Sequence, residues 1–143
     1  MPARIEEDFA AWCHEQAALL RRRLFADADL PNIIEELESM GREQRHAIAS
    51  SYRLLIAHLL KWQFQPDRRS RSWAVTITRE RANIAEREAD NRSLAADAAE
   101  IVAAAYPRAV REAMREADLP REAFPATCPY DLAFLRNDDA MPE

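Results

Sequence analysis

Apolar residues recur along most of this chain at spacings of three and four, the period of a helix with one buried face. Ile5, Phe9, Trp12, Leu19 and Leu20, with Gln16 in phase, predict a first helix over about residues 5–23. FADADLPN interrupts it. Asp29 is a candidate N-cap for a second helix, with Pro31 tolerated in its first turn. That helix is the longest: Ile33, Leu37, Met40, Gln44, Ile48, Tyr52, Leu55, Leu59 and Trp62 hold phase from 31 to 64, about 50 Å of helix at 1.5 Å per residue. Gly41, the chain's single glycine, predicts a bend near 39–42, and Pro66 ends the helix because it disfavours helical geometry in the residue before it.

Ser70 or Ser72 can cap a third helix through Trp73, Ile77 and Ile84 to about 91. Ser93 is the expected cap of a fourth, carried inward by Leu94, Ile101, Val102, Val110 and Met114, with Pro107 expected to kink or break it. Beyond 118, four prolines and a fading period predict an irregular tail, with a turn of helix at 130–135. The expected fold is all-α: one domain over 1–143, an up-and-down four-helix bundle with a long second helix and a Pro-containing C-terminal tail packed across it.

Composition agrees with that fold. Alanine fills 28 of 143 positions, and 39 residues are Val, Ile, Leu, Met or aromatic, enough for one core. Net charge is −5, which excludes a generic polyanion binder, but its distribution is uneven. Residues 61–81 carry six basic and two acidic side chains, against 7 and 10 over 1–60 and 7 and 13 over 82–143. Cys13 and Cys128 are too few for a disulfide framework or a zinc site, and Cys13 is expected to be a small buried residue. No apolar run approaches membrane-spanning length and the amino terminus is acidic and amphipathic, so the expectation is a cytoplasmic protein with no membrane partner.

Catalytic and metal signals are weak. Glu43 and His46 have the Glu-x-x-His spacing of di-metal bundles, but neither His14 nor His58 supplies a second pair. Asp27, Asp29 and Glu38 match positions of a calcium loop that Pro31 and Asn32 spoil. One glycine cannot build a phosphate-cradling loop or a nucleophile elbow. No metal, cofactor or catalytic residue is assigned, and enzymatic activity is left open with a lean against it.

Two features remain. His58 falls inside the apolar stripe of the second helix and Glu36 flanks it. They are inward polar candidates, the imidazole satisfied by a carbonyl or carboxylate, and a carboxylate would raise its pKa. The stretch HLLKWQFQPDRRSRSW gathers Lys61, Trp62, Arg68, Arg69, Arg71 and Trp73 around a turn, with the arginines at a helix amino end, where cations do not help the helix form. They could pair with the chain's own acids such as Glu35, Glu36 and Glu38, with a partner protein's carboxylates, or with phosphate.

DFAAW with EQAALLR, then IIEELESMG, HLLKWQFQP with RSRSW, and FPATCPY, in that order over about 8–130, resemble the bacterial family catalogued as domain of unknown function twenty-nine. The resemblance implies an all-helical cytoplasmic bundle of unassigned activity and supplies no catalytic residues. His58, Lys61, Trp62, Arg69, Ser70 and Trp73 match its pattern, while Pro107 departs from it. The expected function is a non-enzymatic, self-associating interaction module whose partner is another protein or a second copy of itself, as in a homodimer. The rivals are a nucleic-acid-associated regulator using the basic corner, and a metal-dependent enzyme between helices.

Overall fold

A computed structural model describes residues 1–143, and they form an all-helical protein. Six α-helices follow one another: α1 (Phe9–Arg21), α2 (Leu30–Phe64), α3 (Arg71–Asp90), α4 (Arg92–Ala96), α5 (Ala98–Ala117) and α6 (Leu132–Arg136). The chain divides into two compact units, Met1–Arg42 and Glu43–Glu143.

The first unit holds α1 and the opening of α2. Helix α1 starts later than the apolar period suggests, because Asp8 accepts from Ala11 N at 3.0 Å and so marks the cap. Gln16, a buried amide on α1, accepts from Asp29 N at 2.7 Å, fixing the start of α2. The Asp29 carboxylate takes the Asn32 side-chain amide at 2.7 Å instead of a backbone N–H. Cys13 is exposed, correcting the expectation of burial; on α1 it is Trp12 and Gln16 that are buried. Leu37 and Met40, expected on an inward stripe, are 62% and 60% exposed, and Ile34 is 53% exposed. Gly41 does not interrupt α2, which is helical on both sides of it.

The second unit is built on residues 43–64 of α2, which bury far more than one stripe. Ile48, Tyr52, Leu55, Ile56, Ala57, Leu59 and Leu60 are all fully buried. Such a wide buried arc belongs to a helix with neighbours on two sides. On one side α3 runs antiparallel: Gln44 accepts from Arg87 and Glu88 accepts from Tyr52 at one end, while Lys61 lies over Trp73 at the other. On the other side α5 runs parallel: Arg45 meets Asp97 at 3.1 Å, Arg53 meets Glu112 at 2.8 Å, and Gln65 donates to Ala117 O at 2.9 Å. Three helices thus go up, down and up around a core of Ile77, Ile84, Ile101, Tyr106 and Val110 with the α2 residues.

Ser70 caps α3, its hydroxyl accepting from Trp73 N at 3.2 Å. Ser93 is not the cap of the next helix. Asn91 is, and Ser93 lies inside the one-turn α4, after which Asp97 joins α4 to α5. Pro107 sits within α5 without breaking it. The carbonyl deprived of a donor belongs to Ala103, which is exposed, so water can supply the missing bond. Asp118, in the left-handed conformation (φ 53°), ends α5.

The tail then returns along the second unit. Tyr106 donates to Pro125 O at 2.7 Å, Phe124 packs edge-on against Phe64, and Tyr130 donates to Gln63 Oε1 at 2.7 Å. Arg81 on α3 holds α6 by donating to Leu135 O and Phe134 O, both at 3.0 Å. Arg136 closes the structure on Glu88 with two bonds, of 3.1 and 3.0 Å, and Glu88 also takes the Tyr52 hydroxyl. No helix is long and apolar enough to cross a membrane.

Candidate functional site

The corner between α2 and α3 is ordered, and its residues divide into two groups. A 3₁₀ turn at Pro66–Arg68 follows the Pro66 stop, and α3 restarts at Arg71. Lys61 is buried. Its ammonium meets the Glu116 carboxylate and lies 5.0 Å from the centre of the Trp73 ring. Trp62 packs against the core, and Arg69 lies over its indole at 5.1 Å while donating from Nε to Trp62 O at 2.8 Å. These four residues pin the turn.

Arg68 and Arg71 belong to the other group. Both are exposed and make no ion pair. The cation of the corner that does find a carboxylate within the second unit is Lys61, and the arginines find none there. In the first unit, Glu38 meets Arg42 one turn on at 3.9 Å.

His58 is half-buried, and its Nδ1–H donates to Leu54 O at 2.8 Å. This main-chain bond takes the place of the carboxylate partner considered above. Burial pulls the imidazole pKa below its usual value; the Leu54 bond opposes that shift and nearby Lys61 reinforces it. A raised pKa is therefore corrected to a lowered one. Glu36, in the first unit, is half-buried with no hydrogen-bond partner there. Glu43 and His46 are both exposed, and no three His, Cys, Asp or Glu side chains come together to hold a metal ion. The would-be calcium loop cannot form, since α2 begins at Leu30 inside it.

A feature of the second unit was not visible in the sequence pattern. Between α2 and α5 lies a groove of about 820 Å³, lined in part by the small side chains Ala49, Ala104 and Ala105. Arg108, Arg111 and Arg115 stand along its α5 side, exposed and without a carboxylate within 4.0 Å. Their spacing of three and four on an alanine-rich helix was the available signal. What hid it was that the opposite wall comes from a helix some sixty residues earlier.

The cations of the corner and the groove thus divide into those that hold the fold, such as Lys61 and Arg69, and those that face solvent, such as Arg68, Arg71, Arg108, Arg111 and Arg115. A family model described as Domain of unknown function DUF29 matches residues 5–140. The chain belongs to that family. No curated protein and no solved structure matched it. The strings carrying the resemblance lie on α1, α2, the corner and the tail of this DUF29 chain, and the matching corner residues include the four that pin the turn, Lys61, Trp62, Arg69 and Trp73, together with Ser70, which caps α3.

Proposed function

We propose that this DUF29 protein is a non-enzymatic, cytoplasmic interaction module that self-associates through the exposed apolar face at the start of α2. The observation that carries the reading is the run Leu30, Ile34, Leu37 and Met40, all exposed at helical spacing. A face of this kind on a monomer marks an interaction site.

A second copy is the occupant for two reasons. Gly41 continues the same stripe, and a Cβ placed there would meet nothing within 4 Å. No contact inside the chain calls for glycine, which costs a helix interior about 1 kcal/mol relative to alanine, so its use is close approach by an outside helix. The flanking charges are also self-complementary. Glu35, Glu36 and Glu38 precede Gly41 and Arg42 follows it; the Arg42–Glu38 contact within one chain is long, at 3.9 Å, and exposed, so an antiparallel two-fold pair can exchange it for contacts between the acids of one copy and the arginine of the other. The four-helix up-and-down arrangement and the single-domain organisation expected from the sequence belong to this proposal too.

Sedimentation across a concentration series tests it. Wild type is expected to dimerise, Leu37→Glu to be monomeric, and Gly41→Ala to have a more stable monomer and a weaker dimer. A wild-type protein that stays monomeric at every concentration overturns the reading. So does a Gly41→Ala variant that associates as well as wild type. The basic corner supports the nucleic-acid reading poorly, because two free guanidiniums on an acidic molecule bind phosphate weakly at physiological salt.

A further inference from the structure

We infer that the groove between α2 and α5 is a docking site for an acidic amphipathic helix of a partner protein. This surface is distinct from the self-association face and rests on different residues.

The first argument is shape. Helices α2 and α5 run side by side in the same direction, and small side chains from both, Ala49 on one and Ala104 and Ala105 on the other, line the groove between them, beside the Arg53–Glu112 ion pair. Side-by-side helices faced with alanine leave a trough that admits the apolar edge of a third helix, the arrangement used by helix-in-groove recognition. Ala104 is itself exposed, so this part of the lining is open to an incoming chain.

The second argument is charge, and it is asymmetric. On the α2 wall, Arg45 and Arg53 are already neutralised by Asp97, Glu100 and Glu112. On the α5 wall, Arg108, Arg111 and Arg115 are free, at spacings of three and four along about 10 Å of helix. A partner helix carrying carboxylates at i, i+3 or i+4, and i+7 along one edge would meet each guanidinium in turn, with charge-assisted hydrogen bonds.

Nucleic acid fits less well. Glu112 and Glu116 also line the groove, each already paired with a cation of α2, so a continuous phosphate backbone would find only the three α5 arginines free. Three phosphate contacts would give a shallow salt dependence, with a slope of about −2 on a single strand, and correspondingly weak binding. A helix can place acids opposite the arginines and neutral residues opposite the glutamates.

The test uses the full chain and two fluorescent probes. One is a capped alanine- and leucine-faced helical peptide with glutamates at i, i+3 and i+7; the other is an oligothymidylate of similar length. The peptide is expected to bind saturably and the oligonucleotide more weakly. Arg108→Glu combined with Arg111→Glu removes the charge contacts, and Ala104→Trp fills the groove from an exposed lining position. Each is expected to weaken the peptide about tenfold or more. The helical circular dichroism of each variant is compared with wild type, so that loss of fold is not read as loss of binding. Leu37→Glu is expected to bind the peptide as wild type does, which separates this site from the self-association face. The inference is overturned if the peptide does not bind, if the oligonucleotide binds more tightly, or if Ala104→Trp leaves peptide affinity unchanged.

Discussion

Glu116→Gln should destabilise this protein more than Lys61→Met, although the two residues form one ion pair. The asymmetry follows from where each charge sits. The Lys61 side chain is 4% exposed and Glu116 is 49% exposed. Removing the carboxylate strands a buried ammonium on the face of Trp73, 5.0 Å away. Breaking a fully buried pair from one side costs about 3–5 kcal/mol, and because water reaches the Glu116 end the expected loss falls to about 2 kcal/mol. Methionine at 61 instead keeps the length and the apolar stem. It forfeits a cation–π contact of about 1–2 kcal/mol but spares the ammonium its desolvation, and Glu116 turns to solvent, so the net change is within about 1 kcal/mol of zero. Urea denaturation of both single variants and the double variant gives the coupling, expected at about 1–2 kcal/mol with unchanged slopes. If Lys61→Met proves the costlier change, or Glu116→Gln is silent, the lysine is solvated in solution and is available to a ligand after all.

Two further outcomes follow from the tail. Burial raises the pKa of all three tyrosines, that of Tyr52 to about 12 with the Glu88 carboxylate adding to the effect. The unfolded chain therefore loses its phenolic protons first. Stability is complete below about pH 10 and is lost as pH rises towards about 12, by up to about 3 kcal/mol from Tyr52 alone. Tyrosinate absorbance should appear late and together with loss of helix; free titration near pH 10 with the helices intact would contradict the buried placement. Arg81 is 2% exposed and binds the carbonyls of α6, so Arg81→Met should cost about 2–4 kcal/mol and expose residues 130–143 to proteolysis. Arg81→Lys should not restore protection, since a single ammonium does not reproduce the fork that spans two carbonyls. A fully protected tail in Arg81→Met would show that it is held by its apolar contacts alone.

The parts of this fold legible in the sequence are those set by local physics. Pro66 stops α2, Ser70 caps α3, and the helical turn in the tail falls near its expected place with Asp131 as its cap. The errors arise where a residue's environment comes from far along the chain. A single apolar stripe on α2 could not show that Ile56 and Leu60 are also buried, because their burial depends on α2 having neighbours on two sides. Glu80, Arg81 and Glu88 are charged residues of α3 to which the apolar period assigns no place, yet all three are buried. The tail supplies partners for Arg81 and Glu88, and Arg79 contacts Glu80 at 3.2 Å. The basic corner was legible as a cluster, but the division within it was not, since whether a cation is committed depends on Glu116, fifty-five residues away from Lys61.

That division gives a rule for finding function in an acidic helical protein rich in arginine. A cation held by a carbonyl, a carboxylate or an indole is already part of the fold, and using it for a ligand would mean losing that contact. Lys61, Arg69, Arg81 and Arg136 are of this kind, each with at least one direct contact that holds a turn or the tail. Arg108, Arg111 and Arg115 have no such commitment, so meeting a partner's carboxylate costs them only side-chain freedom and partial desolvation. They also stand beside a groove lined in part by Ala49, Ile101, Ala104 and Ala105, which Arg68 and Arg71 do not line. Charge density along the sequence directs attention to residues 61–81, where most of the contacted cations anchor the architecture. The uncommitted charge that borders a groove is displayed on α5, in a segment whose net charge is negative.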